Sequence, residues 1–174
     1  MVGDVVAASN AARYDGVFCF VSRSLDLPVC ACLLLKGVDA EGNDAVRCYT
    51  PISSNDMKGG FQLIIKVYEK GVVSQYVDHL AIGECAQFKH IPVNVKMQYP
   101  FAPNKLTMIA AGSGITPIYQ ALHKLVNTPG DNTEIVLLFG NRTEQDILLR
   151  KELDEMAGKV GARLVPAKHF LLYD

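Results

Sequence analysis

The pattern of apolar residues along this chain changes once, at "YPFAPNK" (99–105), and that change constrains the fold more than any other feature. Before it, short runs rich in Val, Phe, Leu and Ile ("VVAAS", "GVFCFV", "VCACLLLKG", "FQLIIKVYEKG", "CAQFKHI") are broken by Gly, Asp, Asn and Pro. Runs of that length between turn formers predict an antiparallel β sandwich or barrel. After it, strand and helix patterns alternate: "LTMIAAG", "TPIYQALHKLVN", "EIVLLFGN", "QDILLRKELDEMAG", "ARLVPA". Ile115, Ile118, Leu122, Leu125 and Val126 recur at helical spacing, which gives that helix one apolar face. Alternating strands and helices predict a parallel sheet. The expected organisation is mixed, with a β domain over residues 1–100 and a partial α/β domain over 101–174, Pro100 and Pro103 marking the linker.

Within the first domain, "FQLIIKVYE" alternates. Phe61, Leu63, Ile65 and Val67 are expected on one face, with Ile64, Lys66 and Tyr68 on the other. One helix interrupts the strands at "SQYVDHLA", opening at Ser74 as its N-cap and closing near Gly83. The positive end of such a helix is a natural place for an anion.

Seventeen Lys and Arg balance 18 Asp and Glu, so the basic stripe expected of a nucleic-acid binder is absent from the sequence. No signal peptide is evident. The longest apolar stretch, "LPVCACLLL", is well short of the roughly 20 residues of a membrane-spanning helix and reads as a buried strand. A cytoplasmic protein without a membrane span is expected. Cys19, Cys30, Cys32, Cys48 and Cys85 form an odd set without CxxC spacing and read as buried reduced thiols. Cys30 and Cys32 would point to one face of a strand, and a metal site built on them is a remote alternative. His79, His90, His123 and His169 are scattered, with no metal or triad spacing.

Two stretches carry more functional groups than their local structure needs. "RCYTPISS" (47–54) precedes the turn "NDMKGG" with an arginine, a tyrosine and hydroxyls that no turn requires. In "GSGITP" (112–117), two glycines let the backbone turn tightly from strand into helix, and Pro117 fits the first helical turn. Such a turn builds a nucleotide-phosphate site at a helix N-terminus. No Gly-Lys-Ser/Thr follows, so it is not a triphosphate loop.

Taken together, "RCYTPIS", "LIIKVYEKG" and "GVVSQY", followed by "MIAAGSGITP" and "LLFGNRTEQDILLRKEL", resemble the ferredoxin reductase-like flavoenzymes. The likeness is to NADH-cytochrome b5 reductase and the flavin module of nitrate reductase, and it runs from about "GVFCFV" to "GARL". The resemblance implies a Greek-key FAD barrel with one short helix, followed by an NADH-binding domain. It places Arg47 on the FAD pyrophosphate, Tyr49 against the isoalloxazine ring and Thr50 at the flavin edge. Ile64 and Lys66 would offer backbone contacts, Lys66 would meet the incoming NADH, and Tyr68 would line the same groove. Gly71, Val73 and Ser74 match the family's Gly-x-Met-Ser turn on the pyrophosphate. Gly112, Ser113 and Gly114 match its Gly-Thr-Gly on the NADH phosphates, and Thr116 the threonine between flavin and nicotinamide. Thr50, Lys66 and Thr116 are the expected catalytic residues.

The likeness implies an oxidoreductase that passes electrons from NADH through FAD to a small haem protein such as cytochrome b5. The alternative is a catalytically incomplete flavin-binding or interaction module. Three departures separate the chain from the family pattern. "KHIPVN" lacks the glycines of the usual Arg-Gly-Pro-x-Gly loop. "VPAKHFLLYD" diverges from the expected third strand, leaving NADH against NADPH unassigned. The chain also stops at Asp174, before the family's Cys-Gly-Pro motif. An exposed sheet edge is therefore expected, with self-association as one way to cover it.

Overall fold

The computed structural model describes residues 2–9, 15–91, 95, 97–161 and 164–171, and the side chains of 25–91, 95 and 97–161. The chain forms two compact units, Met1–Lys96 and Met97–Asp174.

The first unit is a six-stranded antiparallel sheet: β1 (Val2–Ser9), β2 (Asp15–Ser24), β3 (Leu33–Val38), β4 (Asp44–Tyr49), β5 (Lys58–Ile64) and β6 (Cys85–His90). Its spatial order is β4-β3-β6-β1-β2-β5. The two ends of that order are tied together. Just past β4, the Ile52 N–H donates to the Gln62 carbonyl of β5 at 2.9 Å, and the Gln62 N–H donates to Ser53 Oγ at 3.0 Å. A sheet joined end to end in this way has the closure of a barrel.

Alternation along β3 and β6 sends Leu33, Leu35, Ala86 and Phe88 into one core with Phe61, Leu63, Ile65 and Val73. Phe61 and Phe88 meet edge to face, 5.1 Å between ring centres. Burying side chains of this size contributes about 1.5–3 kcal/mol each. The turn after "RCYTPISS" is pinned by Asn55, whose amide nitrogen donates to the Leu27 carbonyl at 2.7 Å while its oxygen accepts the Leu27 N–H at 3.1 Å.

Helix α1 (Val72–His79) lies against β3. The contact is close because Gly37 has no side chain: a Cβ there would stand 3.1 Å from Val73 Cα and 3.2 Å from Tyr76 Cβ.

Several local expectations need correction. Ser74 is not the N-cap. Gly71 is, and the Gly71 carbonyl already accepts the first helical bond, from Gln75 N–H at 2.8 Å, so the helix spans Val72–His79 rather than running to Gly83. "LPVCACLLL" is not one strand: Cys30 sits in a turn at φ 68°, and β3 begins only at Leu33. Cys30 and Cys32 therefore share no strand face. Cys48 and Cys85 are exposed and Cys30 and Cys32 half-buried, so none of the four is a core thiol. β5 ends at Ile64, and Ile64 and Ile65 are both buried, because the chain leaves the strand there and the alternation stops.

The second unit is a parallel sheet of β7 (Lys105–Ala111), β8 (Glu134–Asn141) and β9 (Leu164–Leu171) in the order β7-β8-β9. β9 takes in the "LVPA" of the expected last strand and runs on to Leu171. Helix α2 (Ile115–Asn127) buries Ile115, Ala121, Leu122 and Leu125. The helix expected over "QDILLRKELDEMAG" is shorter. A single 3-10 turn occupies Glu144–Asp146, Leu149 takes a left-handed conformation at φ 57°, and α3 runs only over Arg150–Val160. The linker is anchored to this unit. The Tyr99 hydroxyl donates to the Asp131 carboxylate at 3.0 Å, and the Lys124 ammonium lies 5.3 Å from the Tyr99 ring centre. β7 ends the strand order, and Ile109 on it is 73% exposed.

Candidate functional site

In the first unit, antiparallel register decides which groups share a face. Leu35 pairs with Arg47 and Leu33 with Tyr49, so Arg47 and Tyr49 lie on the same side of the sheet, two residues apart. Arg47 is exposed, and its Nη1 donates to the Val46 carbonyl at 2.8 Å. That single backbone bond leaves most of the guanidinium fork available, since it has five N–H donors. Tyr49 is half-buried. Burial pushes its hydroxyl above the ordinary value of 10.0, the Arg47 charge draws it down, and Tyr68 adds an upward push. Tyr49 is thus close enough to feel both Arg47 and Tyr68. Thr50 follows at the seam and is buried at 8% exposure. Ile64 ends β5 buried, Lys66 is half-buried beyond the strand, and Tyr68 is 55% exposed.

The backbone of Tyr68 leads into α1. Its carbonyl accepts the Gly71 N–H at 2.9 Å and Gln75 Nε2 at 2.9 Å, and its N–H donates to Ser74 Oγ at 3.2 Å. Ser74 Oγ in turn donates to the Gly71 carbonyl at 3.0 Å. Gly71 must be glycine, since a Cβ would clash with Ser74 Oγ and lie 3.2 Å from Tyr68 Cβ. Val73 points into the core at 2% exposure. The N–H groups of Val72, Val73 and Ser74 at this helix start have no intrahelical acceptor.

A cavity of about 570 Å³ runs along the length of α1, lined in part by Val38, Asp39, Gly71, Val72, Tyr76 and His79. The Asp39 carboxyl is held below its usual range by hydrogen bonds from Asn43, so it is ionised there at neutral pH.

In the second unit, Gly112, Ser113 and Gly114 form a 3-10 turn from β7 into α2, with Gly112 at φ 49°. This left-handed backbone favours glycine. Thr116 is buried at 6% exposure, and its hydroxyl donates to the Ser113 carbonyl at 3.3 Å. Sequence reasoning passed over Asn141 at the end of β8, which is 2% exposed. A polar residue closing an apolar strand beside a glycine turn was the available signal. Part of "KHIPVN" lies outside the described residues, as does the end of the chain at Asp174.

The donor set fits a flavin dinucleotide: a guanidinium and helix N–H groups suit a diphosphate, and a half-buried tyrosine suits an aromatic ring. Among the described residues, no helix is long and apolar enough to cross a membrane.

Comparison with known proteins agrees with this chemistry. Residues 16–95 match the oxidoreductase FAD-binding domain and residues 108–169 the oxidoreductase NAD-binding domain. NADH-cytochrome b5 reductase 1 of Dictyostelium discoideum is 46% identical over 138 residues, covering 78% of this chain and 46% of that protein. The protein of the same name from Cryptococcus neoformans is 40% identical over 157 residues, covering 88% of this chain and 52% of its own. The chain thus spans about half the length of these curated relatives. Among solved structures, the cytochrome b5 reductase domain of Ulva prolifera nitrate reductase superposes with a TM-score of 0.85 at 28% identity, covering 97% of this chain and 73% of that one. The ferredoxin-NADP+ reductase of Plasmodium falciparum shares the fold, with a TM-score of 0.76 at 16% identity. The residue pattern, the folds of both units and these relatives agree: the chain carries matches to an oxidoreductase FAD-binding and an oxidoreductase NAD-binding domain and is similar to NADH-cytochrome b5 reductases.

Proposed function

We propose that this chain carries the flavin-holding part of an oxidoreductase that passes electrons from NADH through FAD to a small haem protein such as cytochrome b5. The observation that supports this reading is that Arg47 and Tyr49 share one face of β4, while Tyr68, whose charge acts on Tyr49, is hydrogen-bonded through its backbone to Ser74 in the first turn of α1. When bound, FAD supplies the redox chemistry, taking electrons in pairs and releasing them singly. The protein's part is to hold and orient.

Arg47 and the N–H groups of Val72, Val73 and Ser74 are assigned to the diphosphate, where charge-assisted bonds are strongest. Tyr49 covers a ring face, the Thr50 hydroxyl hydrogen-bonds its edge, and Ile64 and Lys66 contact it through their backbone. Tyr68 lines the same groove. The Lys66 ammonium is assigned to the incoming nucleotide. Gly112, Ser113 and Gly114 take the NADH phosphates, and Thr116 orients the nicotinamide end. The Asp39 carboxylate beside the α1 cavity would repel phosphate, so that cavity suits a hydroxyl-bearing portion of the cofactor. The proposed setting is the cytoplasm.

Flavin content of the purified protein tests the reading. Yellow protein bleached by NADH is the expected result. Colourless protein that takes up no added FAD would overturn it, and FAD that binds but is never reduced would leave a flavin-binding module instead.

A further inference from the structure

One buried polar side chain lies at the end of β8 in the second unit. Asn141 is 2% exposed, and neither its Nδ2 nor its Oδ1 has a hydrogen-bond partner among the described residues. By strand alternation it shares a face with Ile135, Leu137 and Phe139, none more than 1% exposed. A carboxamide among such neighbours costs the folded state the desolvation of both its ends. Orphaned groups of this kind are uncommon in native proteins and mark a functional or strained position.

Its placement points to the function. Ala111 pairs with Gly140 at the last step of the β7–β8 register, so Gly112 comes alongside Asn141 at the carboxyl ends of the parallel strands. Ligands of such sheets bind there. The α2 N-terminus beside it offers only donors, which suits phosphate. Asn141 offers one donor group and one acceptor, and a phosphate oxygen only accepts, whereas a sugar hydroxyl does both.

We propose that Asn141 binds a ribose hydroxyl of a dinucleotide whose diphosphate rests on the Gly112–Gly114 turn. The inference rests on the pyridine-nucleotide part of the function proposed above and adds a specific residue and the ligand portion it holds. Both amide ends are closed off from solvent in the unliganded protein, so engagement requires the turn to shift. The turn is not packed in on its Cβ side, where a Cβ on Gly112 or Gly114 would meet nothing within 4 Å.

The test pairs two measurements on the full chain: thermal unfolding without ligand, and calorimetric titration with NAD+. Asn141→Leu keeps the volume and removes both polar ends. The expected result is a melting temperature equal to or above wild type, with NAD+ affinity lower by about tenfold or more, since a lost hydrogen bond to a buried polar site is felt fully. Asn141→Ala serves if the leucine variant does not fold, with the same loss of affinity expected. A variant that is less stable yet binds NAD+ as wild type does would overturn the inference alone, showing Asn141 to be structural. If wild type itself takes no NAD+, the pyridine-nucleotide reading fails and this inference with it.

Discussion

Ser74 Oγ accepts the Tyr68 N–H at 3.2 Å while donating to the Gly71 carbonyl at 3.0 Å, so one buried oxygen sets the shape of the turn that feeds α1. Replacing it with Ala leaves the part-buried Tyr68 N–H without its acceptor. Ser74→Ala should destabilise the protein by about 1–3 kcal/mol. A urea titration would read this as a lower midpoint, and flavin retention should fall in parallel because the helix N–H groups lose their alignment. An unchanged midpoint would mean the hydroxyl is dispensable.

Gly37 is where α1 rests on β3. A methyl there would press on Val73 Cα at 3.1 Å, which is backbone and cannot rotate away. Gly37→Ala is expected to cost about 1–3 kcal/mol through overpacking. Denaturation monitored by circular dichroism checks it, and a variant as stable as wild type would show that the helix lifts off freely.

Arg47 is exposed and bonded to a neighbouring carbonyl, so its removal should leave the fold intact. Arg47→Ala should instead weaken FAD binding by roughly tenfold or more, the worth of a charge-assisted bond to phosphate. Titration of the apoprotein with FAD gives the number. Equal affinity in the two proteins would remove Arg47 from the pyrophosphate site.

Two tyrosines make the stability pH-dependent at the alkaline end. Burial raises the hydroxyls of both Tyr49 and Tyr119 above 10.0. Unfolding releases them to ionise at their ordinary value, so above it the unfolded state binds fewer protons and stability falls as pH rises. Their contribution is complete below the unfolded value and is lost between that and the raised one. Tyr49→Phe should flatten the decline in urea midpoint on going from neutral to strongly alkaline pH. A decline as steep as that of wild type would show that Tyr49 does not contribute to it.

Local patterns in the sequence carried the architecture further than the element boundaries. The β-then-βα succession is visible because strand and helix periods differ, and the "RCYTPISS" and "GSGITP" groups stand out because they exceed what turns need. The start of α1 was misplaced because Ser74 suits an N-cap chemically, yet Gly71 accommodates the sharper turn that its Tyr68 contacts require. "LPVCACLLL" is uniformly apolar, so nothing in it signals the turn at Cys30. Leu149 likewise hides the break before α3, since left-handed backbone at a leucine has no sequence marker. Asn141 has only a weak marker in the sequence, a polar residue closing an apolar strand, and its lack of partners is a tertiary property.

The bonds joining Ile52 and Ser53 to Gln62 act as a latch, made between residues close in sequence and therefore fast to form once β5 is in place. Their amides exchange with solvent only when that latch opens. A ligand lying across Tyr49 and Thr50 leans on it directly, so slowed hydrogen exchange at Ile52 and Gln62 becomes a local reporter of occupancy, readable without colour or turnover.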